Sequence, residues 1–223
     1  MRIAPFQADS LRNLAPGGPH NFLRSTSMLA LLALALILTG CGSARPIKYY
    51  QLSYPSSAPP PSPDAINTTL LVRPFEASHL YLNDQIVYGF DSPEMGTYQY
   101  QRWAEPPVEM LQDALVRGLR ATGRFLAVYT IRSDTTGQYV LAGHLYDFKE
   151  VDGSAIVARL SYEVRLRDRK SGLTVWNHMY NHDEPAAEKS VSAIAVAMDK
   201  NVQRSVEEVQ AGLEAYFRTN APN

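Results

Sequence analysis

Ile156-Val157-Ala158-Arg159-Leu160-Ser161-Tyr162-Glu163-Val164-Arg165-Leu166-Arg167-Asp168 decides the fold class. Ile156, Ala158, Leu160, Tyr162, Val164 and Leu166 alternate with Arg159, Ser161, Glu163, Arg165 and Arg167. A strict period of two gives a strand one buried face and one wet face, as in an antiparallel sheet. Lys170-Ser171-Gly172 then supplies a hairpin turn, and Leu173 to Tyr180 pairs back. On the other side, Tyr139 to Lys149 reads as a long strand turned by Asp152-Gly153.

Further out the period changes. Pro106-Pro107 opens a helix, since proline suits the first turn, where its missing N–H costs nothing. Val108, Leu111, Leu115 and Leu119 recur at helical spacing, and Gly123 stops the helix. A longer helix is expected from Ala186 to Phe217, with Val191, Ile194, Ala195, Met198, Val202, Val206, Val209 and Leu213 as its apolar stripe. Thr69–Phe75, Gln85–Tyr88, Thr97–Tyr100 and Phe125–Ile131 read as shorter strands. The expected fold is therefore α+β: an antiparallel sheet with two amphipathic helices packed on it, over residues 69–218.

Upstream lies a different kind of sequence. Met28 to Leu38 is an apolar run of 11 residues ending in Leu38-Thr39-Gly40-Cys41. As a helix it would span about 16 Å, short of a hydrocarbon core of about 30 Å. It suits the apolar region of an export signal, with Arg24 as its cationic flank. Residues 1–27 are long for such a leader; either it is extended or the true start lies further in. Leu38 to Cys41 resembles the bacterial lipobox at all four places. The resemblance implies that the Cys41 thiol accepts diacylglycerol and that cleavage follows Gly40. Cys41 is the only cysteine, so neither a disulfide nor a paired-thiol metal site is open to it.

The chain is thus divided into a leader (1–40), a lipidated N-terminus with a Pro/Ser-rich linker (41–68), and the α+β domain (69–218). Within the linker Tyr49-Tyr50-Gln51-Leu52 is β-prone and Pro55, Pro59, Pro60, Pro61 and Pro63 make a stiff spacer. The Tyr49–Leu52 piece either docks on the body or leaves it on a longer tether. The whole chain has net charge −1. Residues 1–40 hold Arg2, Arg12, Arg24 and Asp9, so the rest carries 18 basic and 21 acidic side chains, net −3. With no basic excess, nucleic acid is not expected as a partner.

Motifs for chemistry are sparse. There is no Gly-x-Ser-x-Gly elbow, no phosphate-binding glycine loop and no HExxH, so neither catalytic residues nor a metal site is expected, and the protein is read as a non-enzyme with no cofactor. His178 and His182 are four apart, but at a strand end rather than on a helix. Tyr98 to Pro107 is aromatic-dense and places a charge on each side of Trp103. Tyr100, Arg102, Trp103 and Glu105 are the candidate partner-binding residues. The alternative is that Trp103 staples the helix start into the core while Arg102 pairs with Glu105.

These stretches resemble the ABC-type transport auxiliary lipoprotein family, which includes the paraquat-inducible protein C lipoproteins. The likeness rests on Tyr49-Tyr50-Gln51-Leu52, Leu71-Val72-Arg73-Pro74-Phe75, Ile86-Val87-Tyr88, Tyr100-Gln101-Arg102-Trp103-Ala104-Glu105-Pro106-Pro107 and Thr122-Gly123-Arg124-Phe125. Thr122 departs from the serine more usual there. The resemblance implies a periplasm-facing lipoprotein of the outer membrane, anchored by acyl groups on Cys41. It would serve an ABC system with a mammalian-cell-entry (MCE) domain partner that moves lipids or other hydrophobic molecules, and a homo-oligomer is possible. Gly42 after the cysteine fits outer-membrane release under the enterobacterial sorting rule. The competing reading is an envelope-assembly lipoprotein that activates or plugs another machine, in cell-wall synthesis or lipopolysaccharide insertion.

Overall fold

The computed structural model describes residues 45–55, 57–90, 92–131 and 136–222; the leader and Cys41 lie outside them. The folded body starts at Pro46. Its strands are β1 (Lys48–Tyr50), β2 (Ile66–Val72), β3 (Glu76–Ala77), β4 (Gln85–Phe90), β5 (Met95–Trp103), β6 (Phe125–Thr130), β7 (Tyr139–Asp152), β8 (Ile156–Asp168) and β9 (Thr174–Pro185). Two helices complete it, α1 (Pro107–Ala121) and α2 (Val191–Thr219).

The alternation in β8 holds from Ala158 to Leu166 on the core side, although Ile156 is only half-buried and Ser161, on the opposite face, is buried as well. Ala158, Leu160, Tyr162, Val164 and Leu166 are all 0% exposed. Each large side chain among them contributes roughly 1.5–3 kcal/mol by leaving water. β7 and β9 flank β8 antiparallel along its length. The β8–β9 turn is held by Asp168, whose Oδ1 accepts from the Lys170 N–H at 2.7 Å, and by Gly172 at φ 72°.

The sheet is mixed rather than wholly antiparallel. On the edge of β7 away from β8, three strands follow one another, all parallel to it: β2 at Tyr139–Leu141, β3 at His144–Leu145 and β4 at Lys149–Asp152. The chain from Ile66 to Phe90 thus runs the length of β7 in pieces, broken where Pro74 has no N–H to give. β6 adds to β2 in parallel; β5 adds to β4 antiparallel, and β1 to β5 in parallel. Parallel pairs need long crossovers, and period two says which face is buried but not which strand lies alongside.

Both helices lie where their apolar stripes direct them, with every expected stripe residue buried. α1 packs on β6 and β7, while α2 crosses β8 and β9. They meet where Gly118 of α1 faces Val206; a side chain at 118 would collide with it. α2 starts at Val191, five residues later than the sequence predicts, because β9 continues to Pro185 and Ser190 is the cap, its Oγ accepting from the Ala193 N–H at 3.1 Å. Asn201, fully buried, ties α2 to the sheet: its Nδ2 donates to the carbonyls of Ala158 and His182, each 2.9 Å, and its Oδ1 accepts from the Tyr180 hydroxyl at 2.6 Å.

Residues 48–55 and 57–66, read from sequence as part of a linker, are laid along the body. β1 joins the sheet, Leu52 is 2% exposed, and the Ser53 N–H donates to Asp199 Oδ1 at 2.7 Å. The Tyr54 ring lies under the Arg117 guanidinium, 4.8 Å from its centroid; burial pushes the phenol up to about 12. Beyond the prolines, the Ser62 N–H donates to the Gly123 carbonyl and the Ile66 N–H to that of Arg124, both at 2.8 Å. Of the two arrangements open for the Tyr49–Leu52 piece, the docked one is found.

Candidate functional site

The aromatic stretch does not form one surface. Trp103 ends β5 and is 1% exposed, its ring edge-on to Phe148 with centroids 5.3 Å apart. It packs the core and offers a partner nothing in this conformation. Arg102 does not pair with Glu105. The register sets it opposite Gln85, and its Nη1 donates to Asp84 Oδ1 at 2.8 Å. Glu105 is exposed just before the Pro106 cap of α1, and Tyr100 is 38% exposed on β5. Of the four candidates, Tyr100 and Glu105 are the ones on the surface; Arg102 is half-buried. Cys41, the lipidation candidate, lies outside the described residues.

Tyr98 leads instead to a feature the sequence did not single out. Its hydroxyl donates to the Glu150 carboxylate, 3.1 Å from Oε1 and 3.0 Å from Oε2. Glu150 is in β7, one residue past the point where the sequence pattern closes that strand. Across the β7–β8 pair, Leu145 faces Tyr162, Phe148 faces Leu160 and Glu150 faces Ala158. The carboxylate therefore occupies a core position and is 6% exposed. The small Ala158 opposite leaves it room. Burial raises the Glu150 carboxyl above the usual carboxylate range, and the Tyr98 hydrogen bond partly offsets this. The Tyr98 phenol is raised in turn, by burial first and then by the neighbouring Glu150 charge.

Glu150 faces a cleft of about 630 Å³. One wall carries Tyr50, Tyr88, Phe90 and Tyr98, and the start of α2 forms the other. Tyr88 and Tyr98 pack at 4.9 Å between centroids. Tyr88 lies close over Gly96, where a Cβ would come within 2.5 Å of the ring. At the rim the Lys189 Nζ sits 2.8 Å from Asp152 Oδ2. Alternation across Phe148-Lys149-Glu150 is the one signal by which the sequence could have shown this acid.

His178 and His182 share a face of β9 with Tyr180 between them, and both approach Glu208 of α2, at 3.6 and 3.9 Å. Trp176 stacks on His178 with planes 9° apart. Among the described residues no group of three or more His, Cys, Asp or Glu is placed to hold a metal ion. A second groove, of about 460 Å³, runs between α1 and α2 over Ala114, Gly118 and Val206, with Tyr54 and Pro55 along it. No helix among the described residues is long and apolar enough to cross a membrane.

Comparison with known proteins agrees with this architecture. The sequence model of the ABC-type transport auxiliary lipoprotein component matches residues 50–210. A protein of Xanthomonas campestris has a similar solved structure at 20% identity, with a TM-score of 0.69 over 78% of this chain and 98% of that one. A second solved structure, of an uncharacterised protein, is similar at 15% identity with a TM-score of 0.61, covering 76% and 99%. At these identities the likeness is one of fold. No curated protein sequence matches the chain.

Proposed function

The chain belongs to the ABC-type transport auxiliary lipoprotein family, and from that membership we propose that it is a non-enzymatic, lipid-anchored subunit of an envelope transport system. Acyl groups on Cys41 hold it to the outer membrane, with its body in the periplasm. There it docks an MCE-domain protein whose ABC system moves lipids or other hydrophobic molecules.

The family match over residues 50–210 carries this reading, because it begins nine residues after a lipobox that fits at all four positions. Two or more acyl chains are needed for durable anchoring, at about 0.8 kcal/mol per buried methylene. The exposed Tyr100 and Glu105 form the candidate docking edge, beside the start of α1.

The test is recovery of the full-length tagged protein from membranes, followed by mass spectrometry of what comes with it. Permease, ATPase and MCE-domain proteins are expected. Cys41→Ser should abolish incorporation of labelled palmitate, because serine lacks the nucleophilic thiol. Equal labelling of both proteins would remove the anchor, and recovery without any transport component would remove the role. Tyr100→Ala with Glu105→Ala should leave the melting temperature within about 2 °C and reduce MCE recovery; an unchanged yield would move the docking edge elsewhere.

A further inference from the structure

We propose that the cleft between β1, β5 and the start of α2 binds an organic ammonium group, with Glu150 as counter-ion and the rings of Tyr50, Tyr88 and Tyr98 as its surround.

Glu150 is a buried acid with no cation in ion-pair contact among the described residues. A carboxylate offers about four acceptor positions, and removing it from water is costly unless a cation or several donors replace the solvent. Glu150 has one donor among the described residues, the Tyr98 hydroxyl shared between its two oxygens. Two lysines line the cleft: Lys189 is engaged by Asp152 at 2.8 Å and has a largely exposed side chain, and Lys48 stands exposed on β1. Neither lysine forms an ion pair with Glu150, although the Lys189 charge is felt there, and the space in front of the carboxylate is open.

The walls say which kind of cation fits. Ring faces attract a positive charge that has shed its water, and they favour a bulky, weakly hydrated ammonium over a small hydrated ion. A metal ion would need several more oxygens than Glu150 supplies. An anion at the first turn of α2 is disfavoured twice: it would face Glu150, and the Ser190 hydroxyl is already spent on capping. The close approach of Tyr88 to Gly96 matters here, because any larger residue at 96 would push that ring off its place.

The ammonium could be a free amine or the headgroup of a lipid. The inference stands on the cleft alone and does not depend on the transport role. Full-length lipidated protein in phosphatidylglycerol nanodiscs would be titrated calorimetrically with tetramethylammonium chloride, sodium chloride and glycerophosphocholine. Saturable binding of tetramethylammonium is expected, with no matching response to sodium. Glu150→Gln should weaken it at least tenfold. Gly96→Ala should also weaken it, while Glu150 stays in place; this variant and Tyr88→Leu carry the test if Glu150→Gln fails to fold. Glycerophosphocholine binding at least tenfold tighter would support the site with a lipid headgroup as source, and equal or weaker binding would support it with a free amine. No binding by the wild type, an equal response to sodium, or full binding by the folded Glu150→Gln protein would overturn it.

Discussion

Glu150 is held where its strand otherwise places leucine and phenylalanine, and its protonation is therefore linked to folding. Its carboxyl is raised in the folded state by burial. Between the ordinary carboxylate range and that raised value the native state binds more protons than the unfolded one, so stability falls as pH rises. Above it the whole penalty is present; below about pH 4 both states are protonated and the penalty disappears. Glu150→Gln should thus have a higher urea midpoint than wild type at pH 7.5, with the gap closing toward pH 4. A gap independent of pH would mean the charge is not the cause. Arg102 offers a contrasting case. Its partner is Asp84 in a half-exposed pair, so Arg102→Ala and Asp84→Ala should each cost about 1 kcal/mol or less, and the double variant little more than either. Thr122 explains its own departure from serine: its hydroxyl donates to the Leu119 carbonyl at 2.8 Å and accepts from the Arg124 N–H at 3.0 Å, which either residue can do.

At the level of elements, what could be read from sequence was whatever a single segment decides for itself. β8 announced its buried face, α1 its proline start and glycine stop, and α2 its stripe, because each signal is local. Tyr162→Asp should cost several kcal/mol by burying an unpaired charge, whereas Glu163→Lys, on the other face, should cost about 1 kcal/mol or less. Similar denaturant midpoints for the two would contradict the face assignment. Gly123, at φ 62° with its would-be Cβ 3.1 Å from the Pro60 carbonyl, ends α1 and receives the proline-rich segment; Gly123→Ala should cost roughly 1–3 kcal/mol. Illegible in the sequence were the neighbours: that β2, β3 and β4 lie parallel along β7, that Arg102 meets Asp84, that Asn201 pins α2 across two strands. Each joins residues far apart in the chain, and no periodicity encodes a partner. The cleft went unseen for the same reason, since its walls come from β1, β4, β5, β7 and α2.

At the level of the whole molecule, the proline-rich segment changes from spacer to structure. Leu52 is in the core, β1 extends the sheet, and Ser53 and Tyr54 hold the tether to both helices. Leu52→Ala should cost about 2–5 kcal/mol, the value of a core leucine rather than of a linker residue. A melting curve unchanged by this substitution would show that the segment is not part of the cooperative unit.

The place of β7 also sets a timetable. A ribosome delivers β1 to β6 first, yet β2, β3 and β4 all find their edge on a strand that begins only at Tyr139. More than half the chain must wait, with sheet-forming segments open, for a template that arrives late. Topologies dominated by such distant pairings fold slowly and expose sticky intermediates. A chain stopped after residue 138 should show no cooperative melting, and neither should one stopped after β8, whose buried face needs α2 to cover it; only extension through α2 should restore the transition.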